Sequence, residues 1–125
     1  MRTINQSKAA RYFLVKLPAI KEEINDLTAK RNFAGVLQAI VNHLKSLLQQ
    51  SKIKIMTHII RNVGRVHARG SLYIREIITN LFVRSLDGLR KRCTVNQWQH
   101  LYGKLPESFR KLYLRQTKIN FIQIQ

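Results

Sequence analysis

Cysteine, apolar runs and acidic residues are scarce in this 125-residue chain, and each scarcity argues against a class of protein. Cys93 is the only cysteine, so no disulfide can form within the chain and a structural zinc site is disfavoured. No stretch approaches the roughly 20 apolar residues of a membrane span. Residues 1–17 are interrupted by Lys8, Arg11 and Lys16 and lack the apolar centre of a signal peptide. We therefore expect a cytoplasmic protein without a membrane span.

The motifs of common enzyme and cofactor sites are missing as well. His43, His58, His67 and His100 do not have the spacing of metal ligands on one helical face. The sequence has no nucleophile signature, phosphate-cradling glycine loop or dinucleotide fingerprint. The acidic cluster at 22–26 lies near a predicted helix start, where the helix dipole favours acids. We therefore predict a non-enzymatic protein with no catalytic, cofactor-binding or metal-binding residues.

Apolar residues recur at helical spacing through most of the chain. Steps of three and four are strongest at 33–48, 56–66 and 74–89, and Asn32 and Ser71 stand where N-caps belong. The pattern predicts an all-α fold of five to seven helices in antiparallel hairpins, as a bundle or a short solenoid-like array. The predicted core includes Ile40, Leu44, Ile59, Ile60, Val63, Ile78, Leu81 and Phe82.

The domain organisation follows from where this spacing ends. Residues 1–118 form a single predicted helical domain, with no low-complexity linker inside it. In residues 119–125 Ile122 and Ile124 alternate with glutamines, a pattern that allows a strand. Because terminal residues often fray, we predict a C-terminal tail that is frayed or forms a short strand.

Positive charge is the most unusual property of the chain. It has 23 Lys and Arg against six Asp and Glu, which gives a formal net charge of +17 and a pI of about 11.1. Small soluble domains typically carry about 2 to 8 net charges. Because such a surface repels itself at a cost in stability, a polyanionic partner is one hypothesis to consider.

One predicted helix carries a regular basic row. Lys54, His58, Arg61, Arg65 and Arg69 recur at steps of four, three, four and four, opposite the apolar face of the same helix. Guanidinium groups bind phosphate oxygens in a forked geometry, so this row is a candidate polyanion-binding site. The alternative interpretation is that these residues only solvate the outer face of a core helix. The sequence leaves both open.

A second basic face follows near the C-terminus. Thr94 and Gln97 form a capping-box pattern, Gly103 ends the short helix that it opens, and Pro106 suits the first turn of a last helix. This arrangement resembles a helix-turn-helix, but the second helix lacks exposed early Asn or Gln for adenine contacts. We therefore interpret it as a secondary basic face without base readout, formed by Arg110, Lys111, Arg115 and Lys118.

Three short parts of the sequence stand out together: the stretch 80–85 (NLFVRS), Cys93 with 97–98 (QW), and 41–43 (VNH) in a preceding helix. With them the chain resembles a bacterial family of small helical domains that is catalogued as a domain of unknown function. The resemblance implies an all-α bacterial cytoplasmic protein of about this length, and it implies no activity. This chain is more basic than that family's pattern.

Two classes of function remain open from the sequence. The first is a nucleic-acid-associated protein that contacts the backbone of DNA or RNA. The second is a helical protein–protein interaction module, such as an adaptor, an inhibitor or an immunity-type protein, that docks on an acidic partner. The net charge favours the first. Attachment to an anionic membrane fits less well, because the apolar helix faces are needed for the core.

Overall fold

The computed structural model describes residues 3–124, with side chains through residue 118. This part of the chain contains seven helices. The elements are α1 (Gln6–Lys16), α2 (Lys21–Ala29, entered through a 3₁₀ turn at Pro18–Ile20), α3 (Phe33–Gln49), α4 (Ile53–Arg69), α5 (Leu72–Ile77, then a π-helical stretch at Ile78–Val83, then Arg84–Arg92), α6 (Val95–Lys104) and α7 (Glu107–Ile124). They form one compact domain, and the predicted all-α fold of five to seven helices is confirmed.

Three predicted helix starts, at Asn32, Ser71 and Thr94, are confirmed by their capping hydrogen bonds. Asn32 Oδ1 accepts from the Gly35 backbone N–H at 2.8 Å, and Ser71 caps α5 in the same way. At α6 the capping box is complete, because Thr94 Oγ1 accepts from the Gln97 N–H at 3.1 Å while Gln97 Oε1 accepts from the Thr94 N–H at 2.9 Å. These bonds satisfy N–H groups that have no partner within the helix.

Helix α3 lies at the centre of the domain and contacts α1, α2, α4 and α5. Nine of its 17 residues are buried, and its apolar face runs from Phe33 to Leu48. The N-terminal segment is held at the far end of α4, where the Ile4 N–H donates to the Arg69 carbonyl at 2.7 Å and the Ser71 N–H donates to the Ile4 carbonyl at 2.9 Å. Helices α1, α2, α4 and α5 therefore pack around the apolar surface of α3.

The π-helical stretch in α5 corrects one of the predicted core positions. Seven of the eight predicted core residues are buried, but Leu81 is only half-buried and packs at the edge of the core. Regular α-helical spacing places Leu81 beside Ile78 and Phe82 on the inner face. A π turn holds an extra residue, so the buried series moves on to Val83, which is fully buried.

The predicted C-terminal tail also differs from the structure. Helix α7 continues through Ile124, so the helical domain passes residue 118 and residues 119–124 are helical rather than a strand. Extending an existing helix adds a hydrogen bond for each residue fixed, whereas a strand needs a neighbour to pair with. Within residues 3–124 the only β feature is an isolated bridge between Ile4 and Gly70.

Helix α4 packs closely against the turn between α6 and α7, where Gly64 faces Pro106. A Cβ atom added to Gly64 would lie 2.6 Å from Pro106 Cγ and 3.9 Å from Phe109 Cε2. Phe109 is fully buried, and its ring centroid is 5.9 Å from that of Phe82 and 5.4 Å from that of His67. The start of α7 is thus anchored in the core between α4 and α5.

The burial of Phe82 predicts a large loss of stability when its side chain is removed. Its side chain is 0% exposed and contacts the Phe109 ring, so Phe82→Ala should lower the free energy of unfolding by about 3 to 5 kcal/mol. Tyr73 is 53% exposed and provides the aromatic control, since Tyr73→Ala should change it by no more than about 0.5 kcal/mol. Urea denaturation measures both variants. A loss below about 1 kcal/mol for Phe82→Ala would contradict its assigned place in the core.

The Gly64 contact predicts that one added methyl group is destabilising. Gly64→Ala should cost about 1 to 3 kcal/mol, because the rigid Pro106 ring has to move. Gly88 is the matched control: it also lies within a helix, but a Cβ added there would meet no neighbouring atom within 4 Å, so Gly88→Ala should stabilise by about 0.5 to 1 kcal/mol. Combining Gly64→Ala with Pro106→Ala should recover part of the loss. Equal stability of the two alanine variants would show that α4 and the turn are not closely packed.

Candidate functional site

The basic row predicted on α4 lies on the surface along its whole length. Lys54, His58, Arg61, Arg65 and Arg69 are all exposed, and we call them the α4 row. At 1.5 Å per residue the row is about 22 Å long. The opposite side of α4 is buried from Met56 to Val66. One helix therefore separates core packing and surface charge onto two faces.

The charge of the α4 row is not compensated by acids. The ion pairs found among the described residues join Asp87 Oδ1 to Arg90 Nε at 2.9 Å, Asp87 Oδ2 to Lys91 Nζ at 3.7 Å and Glu107 Oε1 to Lys111 Nζ at 3.4 Å. None of them involves α4. Like charges four residues apart on a helix repel each other, so the successive arginines of the row slightly destabilise α4.

A groove of about 500 Å³ runs along one side of the row, between α1 and α4. We call it the α1–α4 groove. Lys16 enters it from the last turn of α1, and Arg65 and Arg69 border it from α4. Its other lining residues are apolar or aromatic: Ile4, Tyr12, Val66 and Ala68.

A second groove, of about 520 Å³, lies on the other side of the row against the turn between α6 and α7. We call it the turn groove. Arg61 and Arg65 border it from α4, and Lys104 borders it from the end of α6. Its remaining lining is Gly64, Ala68, Gly103, Leu105, Pro106 and Ser108. Arg65 and Ala68 line both grooves, so they form the ridge between them.

The surface around the α4 row includes three residues that the sequence did not predict as site residues: Lys16, Lys104 and Tyr12. Each lies far from α4 in the sequence and reaches it only through the packing of α1 and α6 on α4. No periodic pattern links them to the α4 row. The surface around Arg65 therefore carries more positive charge than α4 itself supplies.

The secondary basic face is only partly formed. Lys111, Arg115 and Lys118 are exposed at helical spacing on one side of α7, whereas Arg110 is half-buried and points away from that side. Lys111 pairs with Glu107, whose negative charge offsets the positive charge of the lysine locally. Ser108, which lines the turn groove, precedes Arg115 by two turns, so this face continues from that groove along α7.

Two other kinds of site are not found in the described part of the molecule. Its side chains include no group of three or more His, Cys, Asp or Glu residues that could hold a metal ion. None of its helices combines the length and the apolar character that crossing a membrane requires.

His67 lies on the inner side of α4 and contacts two other helices. Its Nε2 is 3.2 Å from Thr79 Oγ1 in the π-helical stretch, and its ring meets the Phe109 ring edge-on. Burial lowers the pKa of His67, and the positive charge of Arg75 lowers it further. Gln116 Nε2 donates to the Thr79 carbonyl at 3.1 Å, so Thr79 is held from both α4 and α7.

The lowered pKa of His67 predicts a loss of stability in mild acid. Below about pH 6.5 the unfolded chain takes up a proton that the folded protein resists, so stability should be constant above that pH and fall below it. His67→Gln can still bond Thr79 but does not titrate, so its stability should fall less. Burial also lowers the pKa of His43, although the charge of Glu23 acts in the opposite direction. His43 should therefore account for the decrease in stability that remains at low pH in His67→Gln. Urea midpoints between pH 5 and 8 measure the effect, and identical pH profiles would exclude His67 as a cause.

The comparisons with known proteins identify a family but no function. A family model described as a domain of unknown function (DUF7674) matches residues 10–120, from α1 into α7. No curated protein and no solved structure matches the chain. The resemblance to an uncharacterised family of small domains is confirmed, because the match covers most of the sequence. The chain belongs to the DUF7674 family.

Proposed function

We propose that this protein is a non-enzymatic nucleic-acid-binding protein that holds the phosphate backbone of DNA or RNA along the α4 row. The observation that carries the proposal is the exposure of the whole row without an ion pair to any acid in the described residues. Lys16 and Lys104 add charge on either side of it. Such binding requires no cofactor, and it suits the cytoplasmic location that we expect.

The dimensions of the row suit a phosphate chain. Along the axis of a DNA duplex each strand has one phosphate for about every 3.4 Å, so the row's length of about 22 Å corresponds to roughly six phosphates of one duplex strand. An extended single strand spaces its phosphates more widely and places fewer of them along the row. Arginine presents a planar fork of donors that matches the oxygens of a phosphate group, and three of the five residues are Arg61, Arg65 and Arg69. The secondary basic face on α7 offers Arg115 and Lys118 for further contacts beyond the turn groove.

Solvation alone accounts less well for this arrangement. An exposed glutamine also faces water, and it does not repel its neighbours. Arg61, Arg65 and Arg69 instead place like charges at successive four-residue steps, and each such pair costs about 0.2 to 0.5 kcal/mol. A bound polyanion would reverse that repulsion, which supports binding as the role of the row.

The proposal predicts a salt-dependent affinity that depends on the three arginines. A protein that contacts six to ten phosphates loses about a thousandfold or more in affinity between 50 and 200 mM salt. Changing Arg61, Arg65 and Arg69 together to Gln should weaken binding and reduce the slope of log K against log salt, for each lost contact, by about 0.9 with duplex DNA and by about 0.7 with a single strand. Fluorescence anisotropy with labelled DNA and RNA measures this, and thermal melting should show stability unchanged or slightly raised.

The matched control removes three positive charges elsewhere. Lys30 after α2 and Arg84 and Arg92 on α5 are exposed, border neither groove and belong to none of the ion pairs found among the described residues, so changing them to Gln should leave the salt slope nearly unchanged. Equal effects of the two triple variants would mean that net charge, and not the α4 row, determines binding. If no nucleic acid binds at 50 mM salt, the proposal fails and an acidic protein partner becomes the hypothesis to test.

A further inference from the structure

The two grooves beside Arg65 differ in the chemistry of their linings. The turn groove has the same kind of cationic border, but its lining of small residues, Leu105, Pro106 and Ser108 contains no aromatic ring. In the α1–α4 groove an apolar surface formed by Ile4 and Ala68, with the buried Val66 beneath it, is combined with one aromatic ring, and Lys16, Arg65 and Arg69 lie at its border. An apolar recess beside cations suits a ligand that is itself apolar on one part and negatively charged on the next.

The aromatic ring in that groove is held in place from behind. The Tyr12 hydroxyl donates to Asn62 Oδ1 at 3.0 Å, and the Tyr12 ring meets the Phe13 ring edge-on at 6.0 Å. Lys16 Nζ lies over the face of the Tyr12 ring, 5.8 Å from the ring centroid. A flat group that stacks on this face would therefore take the place of the ammonium group, and the flexible Lys16 side chain would then reach the phosphate next to that group.

The shape of the groove distinguishes between forms of nucleic acid. In a duplex the bases are stacked and paired inside, and the outer surface offers only phosphates, sugars and base edges. A single strand can turn an unstacked base outward onto an aromatic side chain, and such stacking does not depend on base identity. A recess of about 500 Å³ has room for one base but does not admit a double helix.

We propose that the ligand is a single-stranded nucleic acid and that one unstacked base occupies the α1–α4 groove against Tyr12. The phosphates on either side of that base contact Lys16, Arg65 and Arg69, and the strand crosses the ridge at Arg65 towards the turn groove. This inference rests on the proposed function, since it assigns the strand form and the base contact to the same basic surface.

The test compares three probes of equal length, about 12 nucleotides: single-stranded oligothymidine, a DNA duplex, and an abasic chain that keeps the phosphates but has no bases. At 150 mM salt the single strand should bind about 5- to 150-fold more tightly than the abasic chain, because one base stacks on an aromatic ring. It should also bind more tightly than the duplex.

Two variants together locate the base. Ala68 is exposed on the ridge that borders both grooves, so Ala68→Leu should obstruct the grooves without disturbing the core and should reduce single-strand binding to the abasic level. Tyr12 lines the α1–α4 groove and not the turn groove, so its variants distinguish the two. Ala29→Leu, at an exposed site at the end of α2, is the matched control and should bind like the unchanged protein. Tyr12→Phe keeps the ring and should retain most of the affinity, whereas Tyr12→Leu should not.

The outcomes separate this inference from the proposed function. If the single strand, the duplex and the abasic chain bind equally, phosphate binding stands and the base contact is wrong. If Ala68→Leu binds the single strand as tightly as Ala29→Leu does, the base is not in the α1–α4 groove. If none of the probes binds at 50 mM salt, the proposed function itself is wrong.

Discussion

The contact between Gly64 and Pro106 is the constraint on which both the core and the candidate site depend. With no side chain at position 64, the turn after α6 rests directly on α4, and Phe109 reaches into the core between His67 and Phe82. The same approach brings Lys104 to the groove that Arg61 and Arg65 border on α4. A larger residue at 64 would therefore disturb packing and separate the charges at once.

Because α4 has one buried face and one charged face, residues of the candidate site can be changed without changing the core. Val63 and Val66 are buried while Arg61 and Arg65 are exposed, so neighbouring positions on one helix serve packing and charge independently. Substitutions along the α4 row leave the core contacts intact. Substitutions in the core, by contrast, would affect the site, because the two grooves exist only where α1 and the turn before α7 pack on α4.

How much the sequence could predict depends on how far apart in the chain the cooperating residues are. Helices, caps and the α4 row arise from residues a few positions apart, and there most of the sequence predictions agree with the structure. The predicted end of α6 at Gly103 is an exception, because the helix continues through Lys104 and is capped at Leu105. The π-helical stretch moved burial from Leu81 to Val83, because one added residue shifts a periodic pattern without changing its composition. Lys16 and Lys104 come together with the row only through tertiary packing, which no local spacing encodes.

Charge and shape contribute to the proposed binding in ways that salt can separate. Phosphate contacts release counterions, so their contribution falls steeply as salt rises. A base held against Tyr12 in an apolar groove depends mainly on stacking and burial, which salt screens little. The affinity that persists at high salt therefore reports on the groove, whereas the slope reports on the α4 row. Because any cationic surface attracts a polyanion, selectivity for a single strand has to come from the concave part of the site, and the α1–α4 groove combines concavity, aromatic lining and charge.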